Sequence, residues 1–149
     1  MLKSGVKKRA GDFFVARDGE KFVGFAYVIV HLDLAYLFYF AIDGALRGKG
    51  YGSAVLTELK EIYREKRFFL AREALCEDAE NYPERERRRE FYLKNGFNDL
   101  PAKIKEASVI FDVMSVGGCT IKTEEYSEMM TVFCGKFLRR LVDMRLIEE

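Results

Sequence analysis

The chain has 149 residues, of which 49% are hydrophobic and 33% charged. That is the size of one ordinary domain with a sizeable core under a wet surface, which excludes disorder and fibrous repeats, and a single domain over residues 1–149 is expected. Lysine and arginine number 25 against 24 aspartate and glutamate, a net charge of +1, so no global field draws the chain to nucleic acid or to an anionic membrane.

In chain order, Met1 to Arg9 is basic and lacks the apolar run of a secretory signal. Asp12 to Ala16 is a short apolar piece that ends at a turn, because Asp18-Gly19 is a hairpin signal. Phe22 to Val30 follows as a long strand. After a break at His31 to Asp33, Leu34 to Ile42 is apolar almost throughout, as a strand covered on both faces would be. The whole stretch from Phe22 to Ile42 is long enough to span a bilayer, but its β-branched and aromatic content and its central break predict two strands and a turn.

From Gly52 the period changes. Val55, Leu56, Leu59, Ile62 and Tyr63 fall on one helical face, with Glu58, Lys60 and Glu61 on the other. Arg67 to Leu75 is the next strand, and an acidic stretch with Glu73, Glu77, Asp78 and Glu80 overlaps its end. Pro83 suits a first helical turn, which predicts a helix over about Glu84 to Lys94 that stops at Asn95-Gly96. Ala107 to Val116 returns to strand character. Thr123 followed by Glu124 and Glu125 starts a last helix, along which Tyr126, Met129, Met130, Phe133, Phe137, Leu141 and Met144 recur at helical spacing. The order of elements makes a mixed α/β (α+β) domain.

The chemistry concentrates in Arg47-Gly48-Lys49-Gly50-Tyr51-Gly52. Three glycines at a strand-to-helix junction let the backbone turn tightly and present N–H groups to an anion, and Arg47 and Lys49 add charge. A pyrophosphate fits that combination better than one carboxylate. Neither the dinucleotide fingerprint nor the Walker loop matches the glycine spacing, and a plain connecting turn is the alternative.

Taken with its surroundings, Ile42 to Gly52 resembles the acyl-CoA pyrophosphate loop of the GNAT family of N-acetyltransferases: strand end, Arg-x-x-Gly-x-Gly loop and helix start. Phe91-Tyr92-Leu93-Lys94-Asn95-Gly96-Phe97 is similar to that family's Tyr-x-x-x-Gly-Phe helix end. The resemblance covers about Asp12 to Phe97. It implies a mixed, mostly antiparallel twisted sheet flanked by helices, in which the fourth and fifth strands splay to admit the pantetheine arm. Acetyl-CoA (coenzyme A) is then the cofactor. Phe40, Ala41 and Ile42 would lie along it, and backbone N–H groups of Gly48, Lys49, Gly50, Tyr51, Gly52 and Ser53, with Arg47, would hold the pyrophosphate.

The implied reaction is direct attack of a neutral primary amine on the thioester in a ternary complex, which needs a donor to the leaving thiolate and a route for the amine proton. Tyr92 matches the family tyrosine beside the sulfur; a stacked core tyrosine is the alternative. Glu73 is the best-placed carboxylate for the proton, although spacing does not separate it from Glu77 or Asp78. Arg85, with Arg87, Arg88 and Arg89, could reach the 3′-phosphate, or simply form a charged helix face; the family often has Asn at the position of Arg85. His31 reads as a turn histidine. Cys76, Cys119 and Cys134 show no ligand or disulfide spacing, so no metal is expected and free thiols in a cytoplasmic protein are.

Only about eleven residues precede the first hairpin strand, so the family's N-terminal strand and helices are expected to be shortened or missing. The apolar surface they normally cover would be left for the C-terminal helix or a homodimer. The acceptor is a small-molecule or peptide amine, with no role for nucleic acid or membrane. A non-catalytic CoA-binding sensor or interaction module of the same fold is the second function class, and a nucleotide-binding domain the third.

Overall fold

In the computed structural model, which describes residues 1–8, 11–141 and 144–148, the apolar alternation of the first half becomes a meander. Strands β1 (Leu2–Lys8), β2 (Gly11–Asp18), β3 (Lys21–His31) and β4 (Leu34–Ile42) lie in that order, each antiparallel to the next. With helix α1 (Tyr51–Ile62) they form the first of two units, Met1–Phe68. The second, Phe69–Glu149, holds most of β5 (Arg67–Glu73), helix α2 (Tyr82–Lys94), β6 (Phe97–Glu106), β7 (Val109–Val116), helix α3 (Thr123–Leu141) and β8 (Met144–Glu148). Its strand order is β5-β7-β6-β8, again with every neighbour antiparallel. The mixed, mostly antiparallel α/β class expected from the sequence is the class observed. The stretch weighed as a membrane span is β3 and β4, and no helix among the described residues is long and apolar enough to cross a membrane.

The first unit buries one face of its sheet. Phe14, Ala16, Ala26 and Val28 are buried there, and Phe14 meets the ring of Tyr63 edge-on at 6.3 Å. The Tyr63 hydroxyl donates to Asp12 Oδ2 at 2.6 Å, so the helix end is tied to β2 by a polar contact inside an apolar contact. Burial, and then this carboxylate, push the Tyr63 phenol well above its usual value. On the other face, Phe13 pairs with Tyr27 and Tyr27 with Tyr39. Phe25 stacks on Tyr39 at 5.1 Å and 3°, and Tyr39 remains 53% exposed. Phe13, Phe25 and Tyr27 on this face are half-buried.

Three elements differ from the sequence expectation. A first strand is present: β1 runs along β2, with residues 9 and 10 between them. Its lysines obscure any apolar alternation. β6 was not expected, because Pro101 interrupts it; the register shift between Asp99 and Lys103 is where a strand tolerates a proline. The last helix does not run on to Met144. Gly135 (φ 78°, ψ 155°) breaks it, and Met144 opens β8, where buried Met144 and Leu146 alternate with exposed Arg145 and Ile147. Phe137 and Leu141, assigned to the same apolar stripe, lie outside the residues whose side chains are described.

Gly24 shows how tightly β3 and β4 approach. A Cβ built there would collide with the carbonyl oxygen of Ala41 and sit 3.0 Å from Cα of Ile42. Backbone cannot move aside as a side chain can. Gly24→Ala is therefore expected to destabilise the protein by about 2–3 kcal/mol, read as a lower urea midpoint at unchanged slope; a midpoint equal to wild type would show that the strands have room.

Candidate functional site

The end of β4 is held before it turns. Asp43 N–H donates to Val23 O at 2.8 Å, and Asp43 Oδ1 accepts from Ala45 N–H at 3.0 Å, capping a single 3-10 turn, Gly44–Leu46. Leu46 is buried and pins that turn. Arg47 is extended, Gly48 and Gly50 both take left-handed backbone (φ 77° and 84°), and α1 begins at Tyr51. A Cβ at either glycine would meet nothing within 4 Å, so conformation and not crowding demands glycine there. Gly52 lies within the first turn of α1.

The first helical N–H groups, of Tyr51, Gly52 and Ser53, have no intrahelical partner, and the glycine N-cap supplies no side chain. The helix carries no acidic residue in its first turn. Arg47 and Lys49 are exposed and form no ion pair among the described residues. Bare N–H groups, the positive end of a twelve-residue helix and two available cations suit an anion. Phe40, Ala41 and Ile42 lead into it along β4, paired with Ala26, Phe25 and Gly24 and partly exposed.

Sequence spacing gave no sign of what anchors the loop. The Tyr51 hydroxyl donates to Asp18 Oδ2 at 2.7 Å, and Lys21 Nζ lies 6.0 Å from the Tyr51 ring centroid. The β2–β3 turn, with Gly19 at φ 62°, is thus tied to the first residue of the helix. Only the fold brings Asp18 and Tyr51 together.

In the second unit, Tyr92 lies on α2 with its ring 5.4 Å from Phe91 and 5.9 Å from Phe97. Burial raises the phenol's pKa, and Arg88 offsets this only in part. The hydroxyl therefore keeps its proton at neutral pH. Glu73, at the end of β5, meets Arg85, with Arg85 Nη2 2.8 Å from Oε2. Arg85 also donates to Asn81 Oδ1 (2.8 Å) and to Ala74 O (2.9 Å). The structure thus joins two residues that had been given separate roles. Glu77, Asp78 and Glu80 are exposed, as is Cys76, and among the described residues no group of His, Cys, Asp and Glu could hold a metal ion.

Behind them is an ion-pair network. Arg72, its side chain 4% exposed, donates to Asp99 Oδ1 (2.7 Å) and Asp112 Oδ2 (3.1 Å). Arg89 bonds Asp99 Oδ2 from two nitrogens (3.0 and 2.8 Å), and Lys103 reaches Asp112 at 2.6 Å.

The model of the GNAT acetyltransferase domain matches residues 9–99, and the chain belongs to that family. Among solved structures, a GNAT-family protein from Bacteroides thetaiotaomicron superposes with a TM-score of 0.60 at 21% identity, covering 87% of this chain and 73% of that one. A Bacillus subtilis acetyltransferase solved in complex with CoA gives 0.59 at 11% identity, over 77% and 96%. The ribosomal-protein-S18-alanine N-acetyltransferase of Escherichia coli gives 0.58 at 21%, over 78% and 74%. At these identities the likeness is one of fold. A search of curated proteins finds no match.

The network makes a pH prediction. Burial pushes the Asp99 carboxyl up, but hydrogen bonds from Arg72 and Arg89 outweigh it and hold the group below the usual value. Its stabilising contribution is therefore present above the ordinary carboxylate pKa and is lost as the pH falls through the lowered folded-state value. Asp99→Asn should lower stability at pH 7 while flattening the loss between about pH 4 and pH 2. Urea titrations of both proteins across that range check it, and parallel curves would refute it.

Proposed function

We propose that this protein is an acetyl-CoA-dependent N-acetyltransferase that moves an acetyl group to a primary amine by direct attack. The observation that carries the proposal is the loop from Arg47 to Ser53, an uncapped helix N-terminus reached through two left-handed glycines and flanked by unpaired cations. That arrangement suits a pyrophosphate. The Bacillus subtilis neighbour, solved with CoA, supports the choice among pyrophosphate ligands.

In this role the N–H groups of Gly48, Lys49, Gly50, Tyr51, Gly52 and Ser53 bind phosphate oxygens, with Arg47 and Lys49 adding charge. Phe40, Ala41 and Ile42 flank the pantetheine arm. Attack of the amine nitrogen on the thioester carbon gives a tetrahedral intermediate, and its collapse breaks the carbon–sulfur bond. Tyr92, half-buried and protonated at neutral pH, gives its proton to the departing thiolate and regains one from solvent; the proton of the amine passes to water. For a base, the sequence offers Glu73, whose carboxylate stands 2.8 Å from Arg85. Arg85 is engaged by the same contact, whereas Arg47 and Lys49 beside the loop are exposed and form no ion pair among the described residues.

Calorimetric titration with acetyl-CoA tests the first step, and absence of heat would sink the proposal. Gly50→Ala should weaken binding by about tenfold, because left-handed backbone costs an L-residue roughly 1–2 kcal/mol. Release of free CoA should be assayed with an amine panel that includes spermidine and a peptide with N-terminal alanine, the latter suggested by the Escherichia coli neighbour. Tyr92→Phe should lower that release by about 10²-fold with little change in KM for acetyl-CoA, as loss of a general acid does. Binding with no release for any amine would favour a non-catalytic CoA-binding module.

A further inference from the structure

Helix α2 presents one stripe of side chains to the strands beneath it. Arg85, Arg88, Arg89 and Tyr92 follow at spacings of three and four, so they share a side of the helix. The three arginines are spent on two carboxylates. Arg85 Nη2 is 2.8 Å from Glu73 Oε2, Arg88 Nη1 is 3.8 Å from Glu73 Oε1, and Arg89 bonds Asp99 at 3.0 and 2.8 Å. Asn81 Nδ2, at the helix N-cap, also donates to Glu73 Oε2 at 3.3 Å.

No residue of α2 is fully buried. α2 packs the Tyr92 ring on buried Phe97 and sets its charged stripe on Glu73 and Asp99. Glu73 holds the N-terminal half and Asp99 the middle. Tyr92 is one turn beyond Arg88 and Arg89 on the same stripe, so the placement of its hydroxyl follows from those two contacts. Two guanidinium groups face Glu73, Arg85 at 2.8 Å from Oε2 and Arg88 at 3.8 Å from Oε1.

We propose that Glu73 is a positioning residue: through Arg85 and Arg88 it fixes the rotation of α2 and thereby the place of the Tyr92 hydroxyl. Its value for turnover rests on the reading of Tyr92 as the donor to the thiolate. The physical linkage does not, so the two can fail separately.

The linkage is tested by 19F NMR of protein labelled with 3-fluorotyrosine, the Tyr92 resonance being assigned by its loss in Tyr92→Phe. Glu73→Gln keeps the shape and removes the charge, and it should move that resonance by more than its linewidth. Arg85→Gln should do the same, and Glu73→Gln/Arg85→Gln should move it no further than the larger single change, since both break one contact. An unmoved resonance in Glu73→Gln overturns the proposal. Should that variant not fold, Arg88→Gln, at an exposed side chain, carries the same test with the same two outcomes.

Kinetics with acetyl-CoA and the amine panel separate positioning from proton abstraction. A positioning role predicts that Glu73→Gln lowers kcat roughly tenfold, the scale of a small misplacement, with KM for acetyl-CoA unchanged and no additivity with Arg85→Gln. Additive losses together with disappearance of the acid limb of the pH–rate profile would make Glu73 a base and refute the proposal. If Tyr92→Phe leaves CoA release unchanged while the resonance still moves, the reading of Tyr92 fails and the linkage stands.

Discussion

Arg72 is the constraint on which the second unit turns. A guanidinium taken out of water is costly unless its donors are met, and here four contacts meet them: Asp99, Asp112, the carbonyl of Glu73 at 3.3 Å and the sulfur of Met114 at 3.3 Å. The carboxylates come from two strands, β6 and β7, so one side chain on β5 reads the register of both. A slip of one residue in either pairing would turn a carboxylate to the other face of the sheet and leave the buried cation alone. Apolar residues elsewhere in these strands would tolerate such a slip better than Arg72 does. Breaking either pair strands a buried charge, which is costly whatever the intact pair contributes to net stability.

The same network reaches outward. Asp99 shares one carboxylate between Arg72 below and Arg89 above, so the charge that fixes the sheet also docks the helix. The first unit meets a different demand. Its site must leave polar groups unsatisfied, and it does so by capping the preceding turn with Asp43, burying Leu46, and then using two glycines to aim bare N–H groups outward. Rigidity just before the loop and two left-handed glycines within it serve one end: donors set in advance, with no intrahelical partner of their own. A chain of net charge +1 can bind a polyanion on those terms, because the attraction is local.

Much of this was legible in the residues. The apolar runs of β3 and β4, the change of period at α1 and the glycine spacing of the loop are local signals, and each marks an element close to where it occurs. What escaped notice was non-local. β1 is specified by pairing with β2 rather than by its own pattern, and β6 survives Pro101 only because a register shift receives it. The partnership of Glu73 with Arg85 joins residues on different elements, and nothing in the run of arginines on α2 says which carboxylate each will meet. The tie between Tyr51 and Asp18 spans 33 positions and belongs to the same class. Charges carry no periodicity that names their partners, so a sequence shows which residues have chemistry before it shows how they are paired.

The lack of any fully buried residue in α2 has a dynamic consequence. Opening free energies differ from segment to segment within a folded chain, and they are low where few apolar contacts resist separation. A helix tied by three arginines and by the Tyr92 ring on Phe97 should open at lower cost than the strands beneath, whose own cation also has Asp99 and Asp112. Backbone amides of residues 82–94 would then exchange with solvent long before those of β5 and β7. Tyr92 rides on a segment with its own local equilibrium, and ionic strength, which weakens the arginine contacts but not a hydrophobic core, is the variable that shifts it.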